Sequence, residues 1–156
     1  MDIAITKRGH RAQLRCLRAD GTQERADLGP QVPHHDLAHF VAERRWALRG
    51  GFFGNIARGC SVAQLSDPQF IVTRGPQALQ AEVLARGLQS VASGACAPSD
   101  FGALVNTELA HWRTPLIEAP VAMVEEASGE LAQLAGRYRA LGDGESLMLQ
   151  FALEDL

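Results

Sequence analysis

The 156-residue chain has little of several things, and each shortage removes a class of function. Its three cysteines, Cys16, Cys60 and Cys96, are odd in number and far apart. They form neither a Cys-x-x-Cys metal knuckle nor a disulfide framework, and such usage suits a reducing cytosol. Lys7 is the sole lysine, and no basic run exceeds Arg44-Arg45. With a net charge of −3, the chain lacks the clustered positive surface that neutralises phosphates, so no nucleic-acid partner is expected. No stretch approaches the ~20 apolar residues of a membrane span. The opening residues lack the basic-then-apolar order of a signal peptide, so the protein is expected to be cytoplasmic and off the membrane. The Gly-x-Gly-x-x-Gly fingerprint and the Gly-x-Ser-x-Gly elbow are absent. Gly50-Gly51-Phe52-Phe53-Gly54 lacks the Lys-Ser/Thr ending of a phosphate loop. Cys60, in an apolar segment bounded by Gly59, reads as a packed small hydrophobe rather than a nucleophile.

What is present is a globular composition, 46% hydrophobic and 21% charged, at a length that suits one domain spanning residues 1–156. Residues 2–28 read as a β-hairpin with up to three short strands. Ile3 and Ile5 alternate with polar neighbours, Leu14, Cys16 and Arg18 continue a second strand, and Asp20-Gly21 signals a turn. Gly29 to Pro33 break the pattern, because two prolines cannot donate to a ladder. From His34 to Leu48 the period becomes helical, with Leu37, Phe40, Val41, Ala47 and Leu48 on the face expected against the core. A short helix follows around Phe52 to Ala57. Phe70-Ile71-Val72 reads as a buried strand or a packed loop.

Three longer helices come next. Leu79, Val83, Leu84, Leu88 and Val91 mark the first, and Phe101, Leu104, Val105, Leu109 and Trp112 mark the second. The third runs from Pro120 to Tyr138 and carries Gly129 and Gly136. Ser146 to Leu153 alternates as a C-terminal strand that returns to the N-terminal hairpin. The expected fold is α+β: a small antiparallel sheet, the N-terminal hairpin plus a C-terminal strand, covered by four to five helices.

Chemistry concentrates in His34-His35-Asp36-Leu37-Ala38-His39-Phe40-Val41-Ala42-Glu43. Residues four apart on a helix stack on one face, so His35 and His39 can reach one metal ion, and Glu43 can add an oxygen from the next turn. Asp36 is placed to orient a ligand or to act as a general base. The segment has the shape of the His-Glu-x-x-His zinc helix with the shorter Asp in place of Glu. On the wheel, His35, His39 and Glu43 lie opposite the apolar stripe and are expected to point away from the core, with Trp46 on their side. A solvated helix face with a His-Glu pair would give the same spacing with no function. Glu108 falls inside the apolar stripe of its helix, where a carboxylate needs a partner, and His111 follows at the Glu-x-x-His spacing of helix-bundle metal sites. The structural account of Glu108 is an ion pair with Arg44. Four of the nine aromatic rings, Phe40, Trp46, Phe52 and Phe53, crowd around this segment.

Val32-Pro33-His34, then His35-Asp36-Leu37-Ala38-His39-Phe40 and Glu43, resembles the Val-Pro-His-Asp-Leu-x-His-aromatic-x-x-Glu segment of a functionally uncharacterised family of small bacterial proteins. Gly51-Phe52-Phe53-Gly54 and the Gly144 to Leu149 strand extend the likeness, with one inserted histidine that leaves His34 or His35 for the family position. The resemblance implies no activity, but it directs attention to His35, Asp36, His39 and Glu43. The His35-Asp36 doublet is also similar to that of HD-domain phosphohydrolases. Those sites need two further ligands, for which only His10 and Asp100 are available, and the doublet here opens a helix straight after Pro33. An all-α HD domain is therefore disfavoured.

These readings lead to two expectations. The first is a divalent-metal-binding protein, and in its enzymatic form a hydrolase acting on a small molecule, with His35, His39 and Glu43 holding zinc and Asp36 or Glu108 acting in catalysis. The second is a non-catalytic interaction module whose face of His34, His35, His39 and Trp46 binds a partner chain or a second copy of itself.

Overall fold

A computed structural model describes residues 1–30 and 33–153, with Ile71 and Val72 described by backbone alone. Gln31 and Val32, part of the expected break and of the family-like segment, lie outside the described residues. In chain order the elements are β1 (Asp2–Arg8), β2 (Arg11–Leu17), β3 (Gln23–Pro30), α1 (His34–Arg45), α2 (Phe52–Ala57), α3 (Val62–Leu65), α4 (Pro68–Val72), α5 (Pro76–Ala92), α6 (Phe101–His111), α7 (Val121–Arg139) and β4 (Ser146–Gln150). The strands form one antiparallel sheet in the order β3-β2-β1-β4, and the fold is α+β.

Strand alternation dictates which face of the sheet is covered. Ile3 pairs with Cys16 and Leu149, and Ile5 with Leu14 and Leu147. These residues point to one side, where burial of a full aliphatic side chain stabilises by about 1.5–3 kcal/mol. The helices cover that side with Leu37, Val41, Leu84, Leu88, Leu131 and Tyr138. Thr6, Gln13 and Met148 share the other face of the strands, and Met148 is exposed. The Asp20-Gly21 turn forms as expected: Gly21 takes φ +83°, and the Asp20 carboxylate accepts the Thr22 amide at 2.9 Å. Beyond the turn, all three N-terminal strands are present.

Several local expectations are corrected. Phe70-Ile71-Val72 belongs to a helix, α4, because Asp67 accepts the Gln69 amide at 2.9 Å across Pro68 and starts a turn. Ser61-Val62-Ala63-Gln64 is a reciprocal capping box that opens α3. The first helix stops at Arg45, and Ala47 is exposed in a left-handed conformation, φ +52°. His39 and Glu43 do not point away from the core; they are 5% and 0% exposed. The α5 helix packs along that side of α1, so both flanks of α1 are covered. On α6 the buried stripe is narrower than the pattern suggests, since Leu104 and Trp112 are exposed. Gly129 and Gly136 lie on the exposed side of α7, where an added Cβ would meet nothing. Among the described residues no helix is long and apolar enough to cross a membrane.

Candidate metal centre

The α1 helix presents His35 and His39 one turn apart, and α5 presents Glu82 from the facing side. His39 Nε2 lies 3.1 Å and His35 Nε2 3.4 Å from the same oxygen, Glu82 Oε2. The two rings meet edge to face with centroids 4.7 Å apart. One ligand atom from each of the three residues falls within 4.8 Å of the other two, a spread that a single cation could bridge.

The remaining ring nitrogens face side-chain oxygens. His35 Nδ1 is 3.0 Å from Gln89 Oε1. His39 Nδ1 is 3.3 Å from Glu43 Oε1, near in distance but off line, so that it makes no directed hydrogen bond although it is buried. An oxygen against the far nitrogen is the arrangement that fixes the orientation of a metal-ligating histidine.

The Gly-aromatic stretch is built around Glu43. The Glu43 carboxylate accepts the amides of Phe53, at 3.2 Å, and Gly54, at 3.0 Å. These are among the amides at the start of α2 that have no partner within the helix. A Cβ at Gly51 would overlap the Glu43 carboxylate, and one at Gly54 would overlap the Arg49 carbonyl. Both glycines are therefore required by close approach, not by phosphate binding. Asn55 Nδ2 braces the loop by donating to the carbonyls of Gly50, at 2.7 Å, and Gly51, at 2.8 Å. Arg18, which follows β2, donates to the carbonyls of Ile56, at 2.6 Å, and Cys60, at 3.0 Å. It thereby ties the C-terminal end of α2 to the sheet. The Phe52 ring lies against His39, with centroids 5.5 Å apart.

Charge is concentrated here. Burial alone would depress the basicity of His39, but Glu43 and Glu82 outweigh it and raise the pKa to about 9. His35 is raised through its contact with Glu82. Glu82 is held well below the usual carboxylate range by His35 and His39. Asp36 is pushed up by burial, against the opposing pull of the two histidines. Without a metal, the cluster is thus two histidines of raised basicity sharing one carboxylate.

A cavity of about 340 Å³ opens beside the cluster, lined by His35, Asp36, His39, Phe52, Leu65 and Glu82 among others. Asp36 thus borders the same space as the histidines. Glu43 is not on the shared Nε2 side but behind His39, and Glu82 occupies the carboxylate position facing both rings. Glu108 is outside the cluster: Arg86 pairs with it and also places Nε 3.4 Å from Glu82 Oε1. The structural partner of Glu108 is therefore Arg86, not Arg44, which pairs with Glu130 at 2.9 Å.

His35 faces the cluster, whereas His34 accepts from Arg139 at 2.9 Å. His10, in the β1–β2 turn, and Asp100, just before α6, do not join it. Trp46 stacks on Phe101 and donates its indole N–H to the Glu118 carbonyl at 2.8 Å, so with His39 buried the four residues expected to form an interaction face do not share an exposed surface.

Glu82 is the residue that sequence reasoning missed. Its signal was available, since it is the only carboxylate in α5 and sits between Ala81 and Val83. No family model, curated protein or solved structure matches this chain.

Proposed function

We propose that this protein binds one divalent metal ion through His35, His39 and Glu82, and that the ion is zinc. The observation that carries the reading is the convergence of two Nε2 atoms on one Glu82 oxygen while a side-chain oxygen backs each Nδ1. Two imidazoles and one carboxylate form a donor set that suits zinc, and three protein ligands leave a coordination position open. In this reading Gln89 is a positioning residue that holds the His35 ring by a hydrogen bond, and Glu43 is a positioning residue that sets a negative charge behind His39 Nδ1 without a directed bond.

The open position and the adjoining cavity favour a hydrolase. Zinc supplies Lewis acidity and lowers the pKa of water, and Asp36 borders the cavity as the carboxylate that takes up a proton. The cavity lies in the range of small-molecule sites, roughly 300–1,000 Å³. Burial of Asp36 raises its proton affinity, which suits it to that role more than a free carboxylate.

Elemental analysis of tag-free protein tests the reading. Near-stoichiometric zinc in the wild type, lost in His39→Ala, is the expected result. Protein that stays metal-free after zinc is added, with an unchanged melting temperature, would leave the cluster as a partly buried ion-pair network that braces α1 against α5.

A further inference from the structure

An open groove runs along the other side of His35 and Asp36, walled by His34, Arg86, Gln89, Ser90, Ser93 and Arg139 among others. It shares Leu28, His35 and Asp36 with the cavity, so the two spaces adjoin at these residues. The two compartments differ in chemistry. The cavity side carries Phe52, Val62, Leu65 and Ala78, whereas the groove side mixes charged and polar groups with Pro30, Pro33 and Ala92.

Arg139 is the distinctive group in that groove. Its backbone is anchored, because the sole lysine, Lys7, donates to the carbonyls of Arg139, at 3.1 Å, and Leu141, at 2.8 Å, at the end of α7. Its guanidinium head lies 2.9 Å from His34 Nε2. Guanidinium only donates, so this ring nitrogen is the acceptor and an imidazole neutralises none of the arginine's charge. Among the described residues no carboxylate pairs with Arg139, whereas Arg86 is committed to Glu82 and Glu108. His34 precedes His35 in α1, so the positioned cation stands one residue from a proposed metal ligand. A planar guanidinium with free N–H groups matches an oxyanion by paired, charge-assisted hydrogen bonds.

We infer that the groove is the subsite for an oxyanion group, a carboxylate or a phosphate, on the substrate of the metal centre, with Arg139 as the residue that binds it. The substrate role rests on the metal-centre reading, but the anion site itself does not require the ion. The substrate class is then a small molecule with an anionic end held by Arg139 and a less polar end in the cavity.

The test is titration of inorganic phosphate and, separately, acetate into zinc-free and zinc-loaded protein, followed by calorimetry and by the arginine side-chain N–H resonances. Saturable binding of at least one anion is expected, weakened about tenfold or more in Arg139→Gln and less in Arg139→Lys. Preference for phosphate or acetate identifies the head group. Arg139 is exposed, so melting temperature and zinc stoichiometry should stay close to wild type. Absence of saturable binding in both forms, or binding that Arg139→Gln leaves unchanged, overturns the inference. Arg139-dependent anion binding by protein that takes up no zinc supports the groove and contradicts the metal-centre reading alone.

Discussion

Glu43 fills the space that a side chain at Gly51 would need: a Cβ there would fall on the carboxylate that also receives the Phe53 and Gly54 amides. The histidine helix and the glycine-aromatic loop are therefore one unit. Gly51→Ala should push Glu43 off those amides and away from His39. Overpacking of this kind costs about 1–3 kcal/mol, measurable as a lowered urea midpoint, and zinc affinity should fall with it. An alanine variant of wild-type stability would mean that the carboxylate has room to move.

Glu43 and Glu82 should be separable by substitution. Glu43→Gln keeps all three proposed ligands but weakens the acceptor behind His39, so zinc stoichiometry is retained while affinity falls by about 10- to 100-fold. Glu82→Gln removes a ligand and should cost more. Equal losses in competition titrations with a chelating dye would place both carboxylates on the ion.

The pH dependence has a definite sign. His39 has a folded pKa of about 9, above its ordinary value of 6.5. Its contribution to stability is thus fully present below that ordinary value and lost as pH rises through the folded one. Glu82 is shifted below its usual 4.5, so its own contribution persists across this range and is lost only in acid. Metal-free protein should therefore lose stability from about pH 6.5 to about pH 9. Zinc binding must expel imidazole protons, so its apparent affinity should rise over the same interval. Denaturation and zinc titrations at several pH values in that interval check both trends, and a flat affinity would show that the histidines are not ligands.

Glu108→Ala should leave zinc content unchanged, because Arg86 stands between it and Glu82. Loss of metal in this variant, measured beside Glu82→Gln, would require the two helices α5 and α6 to share the ion.

The fold was readable where a local pattern and the tertiary environment agree. Ile3, Ile5, Leu147 and Leu149 alternate because one face of their sheet is covered, and period two records that directly. His35 and His39 were readable because four-residue spacing is a property of the helix itself. Their burial was not, since a helical wheel shows one apolar stripe and cannot show that α5 covers a second, polar flank. Glu82 lies far from the motif in sequence and meets it only through the packing of α1 on α5. Glu43 was found by spacing, but its position behind His39 depends on the α2 amides, which no periodicity reports. Arg44 is the one charge in the apolar stripe of the first helix, which made it the expected partner of Glu108, but the actual partner, Arg86, comes from α5.

The most direct test of the central claim is zinc K-edge X-ray absorption on zinc-loaded, tag-free protein. The account predicts a first shell of nitrogen and oxygen only, with imidazole scattering from two histidines and distances of about 2.0–2.1 Å. Burial pushes the Cys16 thiol up to about 12, away from thiolate chemistry. A sulfur shell, or a spectrum without imidazole scattering that is unchanged in His39→Ala, would contradict it.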